Sequence, residues 1–214
     1  MNIKELALPD GPIGVSVSGG ADSAILLYFL MKHHKHKIYI VTVAARNKYL
    51  RSSKKSLDVV AKIVELTENE DYEHRIRYVN EQTRDTLFDE LAQLYNSGSI
   101  IKFYTGVTAN PPDEVTFSRE HFSSLTTEDE ERTPSQVRSI NIGQAVVTPW
   151  TNIDKKVIAR MFENEGLLDK LFPLTSSCEW YENMPYTAGI DPYKDHCGKC
   201  WWCEERLWGF GRLV

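Results

Sequence analysis

The sequence predicts an α/β fold, in which a doubly wound parallel sheet carries helices on both faces and a small cysteine-rich module follows at the C-terminal end. Two observations predict the sheet: apolar, strand-like runs alternate with segments of helical spacing, and a Ser/Gly turn joins the first strand to the first helix. The module is predicted from the cysteines, all four of which lie between residues 178 and 203.

Each predicted strand is an apolar or β-branched run bounded by turn residues, and the second, KIYIVTVAA, is typical of a central parallel strand. The predicted strands cover residues 12–18, 37–45, 73–79 and 100–107. Each predicted helix has apolar residues at helical spacing. The predicted helices cover residues 21–34, 54–67, 83–98 and 151–166.

The ends of the last predicted helix carry recognisable signals. Asn152 and Asp154 are both candidates for its N-cap, and Gly166 is placed to follow its last turn. Before this helix, residues 108–147 show no clean periodicity and include an acidic run, EDEER. A loop of this length inside a compact domain is usually functional or mobile.

Composition and charge limit the class of protein. The chain has 214 residues, of which 42% are apolar and 26% charged, as in an ordinary globular protein. We predict one α/β domain over residues 1–172 and a C-terminal module over residues 173–214. The net charge of −5 argues against broad nucleic-acid binding. Since no run is long enough to span a bilayer and no signal segment is evident, we expect a cytoplasmic protein.

The turn SGGADS connects the first predicted strand to the first predicted helix. The first turn of a helix presents unpaired N–H groups and partial positive charge, which suit a phosphate. Gly19 and Gly20 let the backbone approach an anion closely. Ser18 and Ser23 offer hydroxyl donors, and Asp22 can help to organise Mg²⁺. We therefore expect a phosphate site, the alternative being a simple turn with a serine N-cap.

The cysteines follow the pattern C-x18-C-x2-C-x2-C, formed by Cys178, Cys197, Cys200 and Cys203. Four thiolates can complete a tetrahedral shell around one ion, which is typical of a structural zinc site. Redox C-x-x-C chemistry is the alternative, but it needs only two of the four residues. His196 is a competing ligand to Cys178. We expect Trp201 and Trp202 to cover the site.

Together, the two motifs resemble those of the 7-cyano-7-deazaguanine synthase family. SGGADS fits S-G-G-x-D-S, the signature of the PP-loop ATP pyrophosphatases, and CGKCWWCEERLWGF is similar to that family's C-G-x-C-x-x-C-x-x-R-x-x-G-F ending. TSSC (175–178) resembles its T-W-S-C element, and TPWTNIDKKVI (148–158) resembles its P-L-x-x-x-x-K segment, with Lys155 at the lysine. The family's Y-G-Q-x-H and P-x-R-N segments have no evident counterpart, so the ATP and zinc features carry over better than the substrate.

The resemblance implies a HUP-type α/β layer and an ATP-dependent carbon–nitrogen ligase that converts 7-carboxy-7-deazaguanine and ammonia to an amide or a nitrile. It implies ATP with Mg²⁺ as the activating substrate and a structural zinc ion on the four cysteines, and it suggests a homodimer. From the short apolar runs we expect no membrane partner. The residues implied as catalytic are Ser18, Asp22, Ser23 and Lys155, of which the lysine would neutralise phosphate charge. The residues expected to bind nucleotide are Ser18, Gly19, Gly20, Ala21, Asp22, Ser23 and Val43.

Three other functions stay open at this point. A tRNA-modifying PP-loop enzyme, of the thiolation or lysidine type, predicts a basic surface or a reactive cysteine outside the metal site. The acidic charge and the absence of a fifth cysteine weigh against it. Another PP-loop amidoligase would share the loop but use a different carboxylate. A nucleotide-binding module without turnover would bind ATP and release no pyrophosphate. Trp180 and Tyr181 are candidates either for stacking on a deazapurine or for the core.

Overall fold

The computed structural model describes residues 6, 8–45, 50–79, 83–112, 115, 145–178, 196–198 and 200–214. Its strands are β1 (Ile13–Ser16), β2 (Ile38–Ala45), β3 (Tyr72–Val79), β4 (Lys102–Tyr104) and β5 (Val146–Val147). Its α-helices are α1 (Ala21–His33), α2 (Leu50–Thr67), α3 (Thr83–Asn96), α4 (Lys155–Asn164) and α5 (Trp201–Phe210). A 3₁₀ turn covers Phe172–Leu174.

The strands form one parallel sheet in the order β3-β2-β1-β4-β5. Ile13 of β1 pairs with Ile38 on one side and with Lys102 on the other. The chain therefore winds outward from β1 in one direction and then returns to β4, on the other side of β1. In open α/β sheets, ligands bind outside the carboxyl ends of the strands at such a reversal.

The two faces of the sheet bury different helices because side chains alternate along each strand. Ile38 and Ile40 pack in a core shared with α1, α2 and α4, whereas Val41 packs in a second core shared with α3. Helix α1 is buried nearly all round, with ten of its residues in the interior. This burial accounts for its almost uninterrupted apolar sequence.

Helix α5 packs against α4 and against the 3₁₀ turn through aromatic rings, and a buried arginine of α5 contacts the turn. Phe210 stacks on Phe172 with ring centroids 4.1 Å apart. The Arg206 guanidinium lies 3.8 Å from the centre of the Phe172 ring and donates hydrogen bonds to the carbonyls of Phe172, Thr175 and Leu213. Burying this cation is tolerable because carbonyl oxygens surround it. Arg206 therefore connects Leu213 to the segment that precedes Cys178.

The predicted α/β class and all four predicted strands are confirmed, with β4 shorter than expected. The fifth strand, β5, was missed because two residues at the end of an irregular stretch give no periodic signal. The last predicted helix begins at Lys155 rather than 151, since the Asp154 side chain caps it by accepting from the N–H groups of Lys156 and Val157. Gly166, with φ of 65°, follows its C-cap as predicted.

Most of the predicted loop over 108–147 lies outside the described residues, as do Trp180, Tyr181 and the segment after β2. No helix in the described part of the chain is both long enough and apolar enough to cross a membrane.

A pH dependence of stability follows from His74, which is half-buried on β3. Its Nε2 lies 2.9 Å from the Thr42 hydroxyl, which itself donates to the Val17 carbonyl at 2.7 Å. Burial lowers the pKa of His74 to about 4, from an ordinary value of 6.5. As the pH falls through this interval the unfolded chain takes up the proton first, so the free energy of unfolding decreases between about pH 6.5 and pH 4.

We expect His74 to account for a loss of about 1 kcal/mol between about pH 7 and pH 5, after allowance for solvent around the ring. Urea unfolding of the wild type and of His74→Gln at both pH values measures this contribution. Because other groups titrate equally in both proteins, the difference between them isolates His74. Equal losses of unfolding free energy in the two proteins would show that burial of the His74 ring does not cause the pH dependence.

Candidate active site and metal centre

The SGGADS turn lies between the carboxyl end of β1 and the start of α1, at the reversal of strand order. Gly19 has φ of 84°, a conformation that side chains rarely adopt. A Cβ on Gly19 would stand 2.9 Å from the backbone nitrogen of Ser56. Glycine is therefore required here both by conformation and by the close approach of α2.

The two serines of the turn meet each other. The Ser23 hydroxyl donates to the Gly20 carbonyl at 3.2 Å, accepts from the Ser18 N–H at 3.3 Å and lies 3.3 Å from the Ser18 hydroxyl. Gly20 is the N-cap of α1 and supplies no side-chain cap. The first turn of α1 thus keeps backbone donors for an anion, with both hydroxyls beside it.

Lys155, the first residue of α4, reaches the same turn. Its Nζ lies 2.5 Å from Asp22 Oδ2 and 3.6 Å from Glu205 Oε2. Only 5% of the lysine side chain and 1% of the Glu205 side chain are exposed. The site therefore brings Asp22 and Lys155 together, and it adds a buried carboxylate from α5.

Asp22 keeps one oxygen for a further ligand. Its Oδ2 meets Lys155 and lies 3.5 Å from the Thr108 hydroxyl, whereas its Oδ1 is buried without a hydrogen-bond partner among the described residues. A buried carboxylate oxygen without a partner is costly. A hard cation such as Mg²⁺ prefers oxygen ligands of this kind, so Asp22 fits the role of a magnesium ligand.

Two glycines allow neighbouring segments to press against these groups. A Cβ on Gly106 would lie 3.0 Å from the backbone of both Asp22 and Ser23, so the segment after β4 packs directly on the first turn of α1. A Cβ on Gly209 would overlap the Lys155 side chain, at Cγ and at Cβ. The stem of Lys155 is thus confined beneath α5.

The four cysteine sulfurs converge as predicted and lie within 4.8 Å of one another. Cys197 and Cys203 Sγ are 3.8 Å apart, and the Cys200 N–H donates to Cys197 Sγ at 3.2 Å. Cys178 closes the group from the other segment, 4.0 Å from Cys200. His196 is not part of this group in the described chain, so the sulfurs alone form the shell.

The sulfur cluster has the chemistry of a metal centre. Hydrogen bonds to the sulfurs of Cys178 and Cys197 raise the pKa of the Cys200 and Cys203 thiols, because a thiol that donates its proton to a neighbouring sulfur is stabilised in its neutral form. A metal cation displaces these protons and holds all four sulfurs as thiolates. Trp202 and Leu213 pack against the cluster, as expected for Trp202. The four sulfurs are close enough to one another to share one bound metal.

Two residues of the site were missed in the sequence. The Ser176 N–H donates to the Gly19 carbonyl at 2.9 Å, and Glu205 contacts Lys155. Nothing local distinguishes Glu205 from the acidic residue before it, and its role is visible only once α5 is packed on α4. Only one residue separates Ser176 from Cys178, so the segment that supplies a sulfur also contacts the phosphate turn.

The other predicted nucleotide residue, Val43, lies on β2, the strand next to β1. It is half-buried near the carboxyl end of β2 and packs in the core shared with α3. Its expected contact with a nucleotide stays a prediction, as do the catalytic roles of Ser18, Asp22, Ser23 and Lys155. The structure brings these four together around one turn.

No protein-family model matches the chain. No curated protein matches it either. Among solved structures, the chain is similar to the U34-tRNA thiolase NcsA from Methanococcus maripaludis with its [4Fe-4S] cluster, with a TM-score of 0.45 and 12% sequence identity. The match covers 85% of this chain and 60% of the thiolase, so the chain spans less than two thirds of that protein. The fold is defined by this chain's own strand order and register.

Replacing a buried sulfur ligand tests the metal centre. We expect Cys200→Ser to lose bound metal and to be insoluble or largely unfolded, because a structural four-cysteine site contributes on the order of 10 kcal/mol to folding. Elemental analysis and thermal unfolding measure both effects. Leu207→Ala is the control, since Leu207 lies on the same helix and is 48% exposed. A soluble Cys200→Ser with full metal content would contradict the assignment.

Gly209→Ala tests the confinement of Lys155. Alanine in a helix is favoured over glycine by about 1 kcal/mol, so without a clash the variant would be more stable. We expect it instead to be less stable by about 1 kcal/mol, because the added methyl overlaps the Lys155 stem. Urea unfolding measures the difference. A gain in stability would mean that α5 can move away from α4 without cost.

Proposed function

We propose that this protein is an ATP-dependent carbon–nitrogen ligase of the PP-loop type, which adenylates a carboxylate and then captures ammonia. The observation that carries the proposal is the arrangement at the first turn of α1. There, backbone donors, two serine hydroxyls, Asp22 and a buried Lys155 meet at the reversal of strand order. This combination suits the pyrophosphate that leaves when ATP is attacked at its α-phosphorus.

The residues have distinct tasks under this proposal. The hydroxyls of Ser18 and Ser23 and the first-turn N–H groups hold the phosphate oxygens in place. Asp22 Oδ1 is available to a magnesium ion, which when bound would screen the charge of the polyphosphate. Lys155 stands opposite the turn and can exchange its contact with Asp22 for one with phosphate. The close packing around its stem limits where the ammonium group can go.

We propose zinc for the sulfur cluster. Four sulfurs about 2.3 Å from one zinc ion stand about 3.8 Å apart in a tetrahedron. The Cys197–Cys203 and Cys178–Cys200 separations of 3.8 and 4.0 Å fit this value. A four-iron cluster would spread its sulfur ligands across the body of the cluster. The ion has a structural task, since all four of its positions are taken by cysteines.

The proposed substrate is 7-carboxy-7-deazaguanine, on the resemblance of the loop, the lysine segment and the cysteine-rich ending to the 7-cyano-7-deazaguanine synthases. A carboxylate is a poor electrophile, and forming its acyl adenylate, with loss of pyrophosphate, makes the carbon reactive. Ammonia then attacks that carbon and AMP leaves, which gives the amide. A second ATP would adenylate the amide oxygen with loss of pyrophosphate, and loss of AMP and a proton would then give the nitrile.

Pyrophosphate release tests this function directly. The wild-type protein, with ATP, Mg²⁺, 7-carboxy-7-deazaguanine and an ammonium salt, should release pyrophosphate and form a product with the mass of the amide or the nitrile. No release from folded, metal-loaded protein would contradict the proposed substrate. Iron in the cluster together with activity on tRNA would favour the thiolation alternative.

Variants of the turn should separate catalysis from folding. We expect Ser23→Ala to lower the rate of pyrophosphate release by about 100-fold, as when one donor to a developing charge is lost. We expect a loss of similar size for Asp22→Ala, because it removes the oxygen proposed to hold the magnesium ion. The circular dichroism spectra of both variants should match that of the wild type. Ser97→Ala is the matched control, because Ser97 is exposed just after α3 and precedes β4, towards the amino ends of the strands and away from the turn. Retained turnover in both turn variants would rule out the phosphate role of the turn.

A further inference from the structure

We propose that Glu205 is a positioning residue, which holds the Lys155 ammonium in place for phosphate. This inference rests on the proposed function, since it concerns the same phosphate turn. It assigns a task to a residue of the cysteine-rich module, whose ion is otherwise only structural. The carboxylate of Glu205 does not need to touch the nucleotide to perform it.

The first step is the burial of the charges. Lys155 is 4% exposed and Glu205 1% exposed, and their charged atoms are 3.6 Å apart. A buried ammonium group without a carboxylate partner is strongly unfavourable. Asp22 is the nearer partner, at 2.5 Å. The lysine is therefore held from two sides, by the phosphate turn and by α5.

The second step is the exchange that a phosphate requires. To meet a phosphate oxygen, the ammonium group must loosen its contact with Asp22, whose carboxylate is then open to a cation. Glu205 gives the ammonium group a second carboxylate throughout this exchange. Without Glu205, Lys155 would pair with Asp22 alone, and that pair would have to break before phosphate could bind.

The third step is the rigidity of the support. Glu205 lies between Cys203, a member of the sulfur cluster, and Arg206, which is bonded to three carbonyls. Gly209, on the same helix, confines the stem of Lys155. The helical turn of α5 that carries the Glu205 carboxylate is thus held on one side by Cys203 and on the other by Arg206.

The direction in which anion affinity changes when the Glu205 charge is removed distinguishes a positioning role from a simple charge effect. Removing a buried negative charge near an anion site should tighten anion binding if only the long-range field matters. Loss of positioning should weaken it. The probe is inorganic pyrophosphate with Mg²⁺, titrated into metal-loaded, full-length protein by isothermal calorimetry.

We expect Glu205→Gln to weaken pyrophosphate binding by about 5- to 10-fold and Lys155→Met by at least as much. The double variant should bind no more than about twofold more weakly than Lys155→Met alone, because Glu205 acts through the lysine. Glu163→Gln, which removes an exposed carboxylate from α4, is the charge control and should bind like the wild type. Metal content and melting temperature, measured for every variant, identify any folding defect.

Each outcome has one meaning. The inference is overturned if Glu205→Gln binds pyrophosphate as tightly as the wild type or more tightly. It is also overturned if the losses of affinity in Glu205→Gln and Lys155→Met multiply in the double variant. If Glu205→Gln fails to fold, Glu205→Asp takes its place, with a shorter carboxylate that should give an intermediate loss; wild-type binding in that variant also overturns the inference. If the wild-type protein itself binds no pyrophosphate, the proposed function fails together with the inference. If the wild type binds pyrophosphate and Glu205→Gln binds it equally well, only the inference fails.

Discussion

A buried ammonium group, that of Lys155, must be paired with carboxylate wherever the chain places it, and the arrangement of three separate segments follows from that requirement. Asp22 approaches from the phosphate turn and Glu205 from α5, while Lys155 itself begins α4. Removing either carboxylate would leave charge buried with fewer partners. The ion pairs therefore hold the N-terminal turn and the C-terminal helix in a fixed relation, although the two are far apart in sequence.

Two short segments connect the sulfur cluster to the SGGADS turn and its lysine. The first runs from Cys178 back to Ser176, whose N–H donates to the Gly19 carbonyl. The second runs from Cys203 on to Glu205, which contacts Lys155. An ion that fixes the four sulfurs would fix the position at which each segment begins. A structural metal can in this way influence a phosphate site without lying in it.

The sequence was informative where a residue pattern has a local physical cause. The SGGADS turn could be placed between strand and helix because Gly19 satisfies a conformational demand that few other residues can meet. The cysteines could be grouped because their spacing allows one ion to be shared. The resemblance pointed to Lys155, and the structure adds that its ammonium group meets Asp22.

The sequence was uninformative where the cause lies in tertiary packing. Glu205 reads as one acidic residue of two, and only the contact between α4 and α5 makes it a partner of Lys155. The strand β5 is recognised by its pairing with β4, since Val146 and Val147 are too short a run to show a period of two. The start of α4 depended on which of two polar residues capped it, and the Asp154 side chain decided this by geometry.

The charges around the turn constrain the form in which a phosphate can arrive. Asp22, Glu205 and Lys155 together carry one net negative charge, and two of these groups are almost wholly buried. An anion approaching alone would meet the backbone donors of the turn and also this excess of carboxylate. A polyphosphate that brings a divalent cation removes the conflict, because the cation can take the open oxygen of Asp22 as the ammonium group turns to phosphate. On the proposed function, the buried carboxylates thus favour the magnesium complex of a nucleotide over the free anion.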